Sequence, residues 1–165
     1  FDLDQWDGYP AERASILGTI KQAGVDNFVV ISGDAHLYLA SYLKTNFDDP
    51  AEAPMGVELM VGAISSGNYL DAGVDKPVPL SAPSAVSKMV ATGLPIDSFG
   101  ALVLSQNPHM QFWNGSTWGY AILTVTKQRL VCDFRVASTI KQKGGTLQEL
   151  ATFTVPNGQV VLQHS

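Results

Sequence analysis

The sequence predicts a mixed α/β chain, α+β in arrangement, that opens with a helix and buried strands and ends in antiparallel strands. Three observations carry this. A helical pattern over residues 10–23 runs almost directly into the apolar run Phe28-Val29-Val30-Ile31, and a helix followed by a wholly apolar strand is half of an α/β unit. Further on, Leu130, Cys132, Phe134 and Val136 alternate with Arg129, Val131, Asp133 and Arg135, the period-2 signature of a strand with one buried face. The length, 165 residues, fits about one domain.

Each element has a local reason. The helix over 10–23 starts on Pro10, whose missing N–H has no partner to lose in a first turn. Glu12 near its start and Lys21 near its end complement the helix dipole. Ile16, Leu17, Ile20 and Ala23 share one face, and Gly24 is a natural C-terminal cap. The run 28–31 reads as a strand buried on both faces. Residues 37–43 fit a short helix that the stretch 46–54 breaks. A second strand covers 57–64, with a turn at Ser65-Ser66-Gly67-Asn68-Tyr69 after it. Pro77, Pro79 and Pro83 make 71–83 an irregular loop. Short helices are expected at 84–91 and 95–104, the latter with Asp97 in its first turn. A strand covers 110–112, and Trp113-Asn114-Gly115 reads as a hairpin turn. Residues 118–126 pair with the alternating strand through a turn at Lys127-Gln128. Pro156-Asn157-Gly158 turns 152–155 back on 160–162, so the C-terminal third is an antiparallel meander.

Composition narrows the function classes. Ten Lys and Arg against fifteen Asp and Glu give a net charge of −5, which disfavours a protein that tracks nucleic-acid phosphates. Hydrophobic residues at 45% exclude intrinsic disorder. No apolar run reaches the roughly 18 residues of a transmembrane helix. The single cysteine, Cys132, excludes an internal disulfide and a multi-thiolate metal site, and its place in the alternating strand makes it a core residue. Charged residues are 15% against about 25% in an average domain. A Ser/Thr/Asn/Gln surface accounts for that, or further polypeptide covers part of the chain. The start at Phe1, with no Met and no basic-then-apolar leader, reads as a chain cut from something longer or as a matured secreted protein.

Three segments bear chemistry. Gly33-Asp34-Ala35-His36 follows the first strand, and ligands of α/β folds bind at the carboxyl ends of strands. A carboxylate and an imidazole two residues apart reach one metal ion or two neighbouring ones; a strand-end turn with Asp34 capping and His36 solvated is the plain alternative. Asn107-Pro108-His109 is a rigid loop that presents an amide oxygen and an imidazole to a metal or a phosphate oxygen, or else an ordinary turn before a strand. Trp6-Asp7-Gly8-Tyr9-Pro10 either positions a substrate or is a helix entry with Trp6 and Tyr9 packing and Asp7 capping. Ser65-Ser66-Gly67 beyond the second strand is placed to donate hydrogen bonds near the same site, or is a turn. The chain lacks the P-loop, dinucleotide-binding, serine-hydrolase and zincin motifs.

Taken in order, Gln5-Trp6-Asp7-Gly8-Tyr9-Pro10-Ala11-Glu12-Arg13, Ser32-Gly33-Asp34-Ala35-His36, Asn107-Pro108-His109 and Trp118-Gly119-Tyr120 resemble the C-terminal half of the PhoD-like alkaline phosphatases. The match spans about residues 4–126. W-D-G-Y-P-A-x-R and S-G-D-x-H are its most specific parts. The resemblance implies the C-terminal half of a two-layered αββα metallophosphoesterase sandwich, in an extracytoplasmic enzyme, periplasmic or secreted. Such an enzyme hydrolyses phosphate mono- or diesters by a metal-activated hydroxide. It implies Asp34 and His36 as metal ligands, with Asn107 and His109 matching the family's N-P-H at metal, phosphate or neighbours. His36 or His109 is then the group that protonates the leaving oxygen. Asp7 and Tyr9 take a positional, substrate-side role. The implied cofactors are Ca2+ and Fe3+, with Zn2+ or Mn2+ used by related enzymes.

A two-metal site needs more donors than Asp34, His36, Asn107 and His109 provide. The implied partner is therefore the N-terminal remainder of the same enzyme, and the chain alone is expected to be inactive. Two other readings stand beside this one: a non-catalytic interaction module with the β-rich tail as its recognition surface, and a phosphodiesterase acting on lipids or nucleic acids with the same metal centre.

Overall fold

The computed structural model describes residues 6–70 and 96–165. Among these, two four-stranded sheets carry the fold. The first contains β1 (Val29–Ser32), β2 (Tyr38–Leu43), β3 (Gly56–Met60) and β4 (Met110–Asn114) in the order β1-β3-β2-β4. β1 and β3 are parallel, with Ser32 opposite Met60; β2 runs antiparallel to both β3 and β4. The second sheet is the expected meander, β5 (Trp118–Val125), β6 (Arg129–Ala137), β7 (Leu147–Pro156) and β8 (Gln163–His164), antiparallel throughout. Helix α1 (Pro10–Gln22) follows a short 3-10 turn at Trp6–Gly8, and α2 (Ile96–Gln106) precedes β4. The mixed α/β class and the antiparallel ending are both seen.

The sheets pack face to face. Tyr38, Ala40 and Leu59 of the first sheet meet Cys132, Phe134, Val136, Ala151 and Phe153 of the second in one buried cluster. The Tyr38 ring stands edge-on to Phe134 at 5.2 Å, and Phe112 packs at 6.1 Å from Phe134 and 5.6 Å from Phe153. Such aromatic pairs contribute beyond their buried area. The Tyr38 hydroxyl donates to the Arg135 carbonyl, so the buried phenol keeps a partner; burial lifts its pKa to about 12. Cys132 is fully buried, as expected, and desolvation pushes its thiol up to about 12.

Several local expectations change. Residues 37–43 form strand β2, not a helix. Tyr38, Leu39, Ala40, Ser41 and Leu43 are all buried between β3 and β4, and burial on both faces overrides the local pattern. The run 28–31 is not buried on both faces. Among the described residues β1 is an edge strand, and Ile31 is 47% exposed. Trp113-Asn114-Gly115 is not a hairpin, because β4 pairs with β2 while β5 pairs with β6; the short connection passes the chain from one sheet to the other. There Asn114 Oδ1 accepts from the Ser116 amide and the Thr117 hydroxyl. The strand expected at 57–64 ends at Met60, and the return after Pro156 pairs through Gln163 and His164 instead of 160–162. The loop at 71–83 and the helix at 84–91 lie outside the described residues.

Helix α1 matches its expectation at both ends, with Glu12 in the first turn, Lys21 in the last and Gly24 at φ +63° just beyond. Of its apolar face only Leu17 is fully buried; Ile16 is half exposed. One tie fixes α1 to the segment between β2 and β3. The Lys21 ammonium donates to Glu52 at 2.7 Å, and Glu52 also accepts from the Thr45 hydroxyl and, at 2.6 Å, from the Asn46 amide. Chiefly through Lys21, then Thr45 and Asn46, the carboxyl is held down at about 2.

Two predictions follow from this packing. Phe134→Ala removes the ring at the centre of the inter-sheet cluster and lowers stability by about 3–5 kcal/mol in urea unfolding; a loss under about 1 kcal/mol contradicts the packing. Because the folded Glu52 carboxyl lies below its ordinary value, its contribution is complete above the ordinary carboxylate range and is lost as pH falls through about 2. Thermal unfolding of Glu52→Gln beside the parent is expected to show a gap that is constant near neutrality and closes toward pH 2. A gap independent of pH over that interval contradicts the tie.

Candidate active site

Strand alternation decides what the first sheet shows on its outer face. Tyr38, Ala40 and Leu59 point into the sandwich, so Val30, Ser32, Leu39, Ser41, Leu43, Glu58 and Met60 point the other way. They floor a hollow of about 710 Å³ that Trp6 and Arg13 border from the first helical segments. Phe47 and Asp48 border it from the loop after β2, and Asn107, Pro108 and His109 from the turn before β4.

Asp34 lines this hollow from the turn at the carboxyl end of β1. Its backbone is left-handed, φ +72°, and His36 two residues later is left-handed as well, φ +56°. Each such residue costs about 1 kcal/mol, and non-glycine strain of this kind gathers at functional sites. The Asp34 carboxylate is exposed and makes no hydrogen bond or ion pair among the described residues. The Asp34 side chain therefore caps nothing, and a strand, not a helix, follows it.

His36 is turned to the loop beyond β3. Its Nδ1 lies 2.5 Å from the Gly67 carbonyl. A carbonyl only accepts, so Nδ1 carries a proton, and in the neutral ring the lone pair is on Nε2. A backbone carbonyl that fixes the tautomer in this way is the usual support of a metal-ligating imidazole. His36 does not line the hollow. The carbonyls of the loop at 65–67 accept hydrogen bonds: Ser66 takes the Trp118 indole N–H at 2.8 Å, and Gly67 takes His36. Beside it the Gly119 amide donates to the Ala63 carbonyl, and any Cβ at 119 collides with the Arg135 carbonyl and the Tyr38 hydroxyl. The W-G-Y segment thus holds up the loop that orients His36.

Asn107 and His109 reach the hollow from its opposite side. Asn107 Nδ2 donates to the Val103 carbonyl at the end of α2, which leaves its amide oxygen for the hollow. The His109 carbonyl accepts from the Tyr42 amide and the Ser41 hydroxyl, and its ring stands edge-on to Phe47 at 4.8 Å. Arg13 lies over the same Phe47 ring at 4.7 Å, a cation–π contact. Among the described strands β1 and β4 are the outer ones of the sheet, three strand spacings or about 14 Å apart. One ion with bonds near 2 Å does not bridge them. Among the described residues no three His, Cys, Asp or Glu side chains stand close enough to hold a metal.

Trp6 and Arg13 of the first motif line the hollow; Tyr9 does not, and is 56% exposed. Asp7 lies in the 3-10 turn, and its side chain is outside the described set. The sequence reading missed Ser32, Glu58, Phe47 and Arg13 as hollow-lining groups. Glu58 carried a signal: it is the one charged residue in the apolar strand Gly56-Val57-Glu58-Leu59-Met60.

The chain is 29% identical over 163 residues to alkaline phosphatase D of Bacillus subtilis (strain 168). It matches a solved structure of PhoD with a TM-score of 0.73 and 28% identity, over 98% of this chain. It spans about a quarter of each of them, 24% of the curated relative and 26% of the solved chain. The family model for PhoD-like phosphatases matches residues 1–134, and the chain belongs to that family.

Proposed function

We propose that this chain supplies one wall of the metal centre of a phosphoesterase that hydrolyses phosphate mono- or diesters. The observation that carries the reading is the Ser32-Gly33-Asp34-Ala35-His36 turn. Two strained residues present an unpartnered carboxylate and an imidazole of fixed tautomer at the carboxyl end of β1. Family membership supports the reaction class.

Asp34 and His36 are the residues that would hold cations here, with Ca2+ and Fe3+ the ions the family resemblance implies. Hard carboxylate oxygen suits calcium and iron, and neutral imidazole suits iron. Such ions supply Lewis acidity at the phosphoryl oxygens and lower the pKa of the attacking water. Ser32 and Gly33 line the hollow beside Asp34 and would face those oxygens. His109, edge-on to the Phe47 ring that Arg13 covers, lines the far side with Asn107 and is the candidate to protonate the leaving group. Trp6 and Arg13 bring the first motif to the hollow; Asp7 and Tyr9 act by placing them.

The remaining ligands come from another segment of the same enzyme. Two edges of the sandwich support this. β1 and β5 are edge strands without a further partner among the described residues. Ile31 on β1 and Leu123 and Val125 on β5 are 47%, 40% and 72% exposed. Unpaired edges with exposed apolar side chains are surfaces that proteins cover. We place the whole protein outside the cytoplasm on the family resemblance. The ~14 Å between the outer strands is the feature that favours a non-catalytic module, and metal dependence separates the two readings.

Asp34→Asn in the full-length protein is expected to remove most hydrolysis of nitrophenyl phosphate esters while the melting temperature stays within a few degrees; near-parent turnover contradicts the assignment. Treatment with a chelator is expected to abolish activity, and Ca2+ with Fe3+ to restore it. Full activity in protein shown by elemental analysis to be metal-free contradicts the metal reading.

A further inference from the structure

The proposed site leaves Glu58 unused. This carboxylate sits on β3 between the buried Val57 and Leu59 and faces the hollow among Val30, Leu39 and Met60. Taking a carboxylate partly out of water onto an apolar floor costs free energy. Stability therefore gives no reason for Glu58, and its contacts do. Glu58 Oε1 accepts the Ser32 hydroxyl at 2.6 Å. In the parallel register Val30 lies opposite Glu58, so the bond runs diagonally toward the carboxyl end of β1 and catches its last residue. Ser32 is the final regular residue before the chain turns through Gly33 into left-handed Asp34. On the edge of the sheet, β1 is held through β3 alone among the described strands. The Ser32 amide side is fixed by the ladder, and the Ser32 carbonyl accepts from the Val61 amide at 3.0 Å. The Glu58 bond fixes the side chain as well.

We propose that Glu58 is a positioning residue for the metal centre: through its hydrogen bond to Ser32 it locks the take-off of the turn that presents Asp34. This rests on the reading of Asp34 as a cation ligand. Groups that orient a ligand in this way typically cost about 10–100-fold in metal affinity when removed.

The test is calorimetric titration of Ca2+ into chelator-stripped full-length protein, with melting temperatures measured in parallel. Asp34→Asn tests the underlying reading: if it binds Ca2+ like the parent, that reading fails whatever Glu58 does. Given its loss of binding, Glu58→Leu and Ser32→Ala are each expected to weaken Ca2+ by about tenfold with the melting temperature unchanged or, for Glu58→Leu, raised. Glu58→Gln keeps an oxygen for the Ser32 hydroxyl and is expected to recover most of the affinity. Because both groups act through one bond, Ser32→Ala with Glu58→Leu is expected to be no weaker than the poorer single variant within about twofold. Parent-like binding by Glu58→Leu overturns the proposal. So does a Glu58→Gln protein as weak as Glu58→Leu, or a double variant whose losses multiply.

Discussion

The contact between the two sheets governs the rest of the molecule. Tyr38, edge-on to Phe134 and tied to the Arg135 carbonyl, fixes which face of the first sheet is inside. Strand side chains alternate without exception along a regular run. Once Tyr38, Ala40 and Leu59 are committed to the core, Ser32, Ser41 and Glu58 have only the other face. The floor of the hollow is therefore the opposite face of that sheet, polar at Ser32, Ser41 and Glu58 and apolar at Val30, Leu39, Leu43 and Met60, and a slip of one residue in β2 or β3 would exchange the two faces. The bulge opposite β2 at Ala40 and Ser41 adjusts how β4 joins this face and so where Asn107 and His109 arrive.

Much of this was legible in the sequence where a single local rule decided the outcome. Pro10, Lys21 and Gly24 mark a helix whose ends need caps and compensating charge. The alternation of Leu130, Cys132, Phe134 and Val136 marks a strand with one wet face. Where two long-range partners compete for a segment, local pattern misled. Residues 37–43 contain enough apolar positions for either period, and only the flanking strands β3 and β4 decide for β2. The Asn114-Gly115 pair has the chemistry of a tight turn, yet it changes sheets, because the choice of partner strand is not written in the turn itself. β1 looks like an interior strand by composition and lies at an edge among the described residues. Its apolar run and the exposed Ile31 are reconciled if further polypeptide covers it.

The candidate site was legible in the same uneven way. Asp34 and His36 stood out because a carboxylate and an imidazole close an apolar run. The structure adds what residue types do not carry: left-handed backbones at both, the Gly67 carbonyl at the His36 ring, and support of that loop by Trp118 and Gly119. Asn107 and His109 line the hollow, but from the opposite edge of the sheet, since spacing along the chain says nothing of spacing across strands. Glu58 escaped notice because a lone charge in a short strand reads as a solvent-facing residue until the neighbouring sheet shows which face is wet.

The central claim is that the strained turn after β1 exists to offer Asp34 and His36 to cations. Anomalous X-ray diffraction from crystals of the full-length protein grown with Ca2+ and Fe3+ tests it most directly. The account predicts a metal peak bonded to an Asp34 oxygen at about 2.0–2.6 Å, with His36 Nε2 turned to the same centre. Well-occupied metal peaks elsewhere, with Asp34 surrounded by solvent alone, would contradict it.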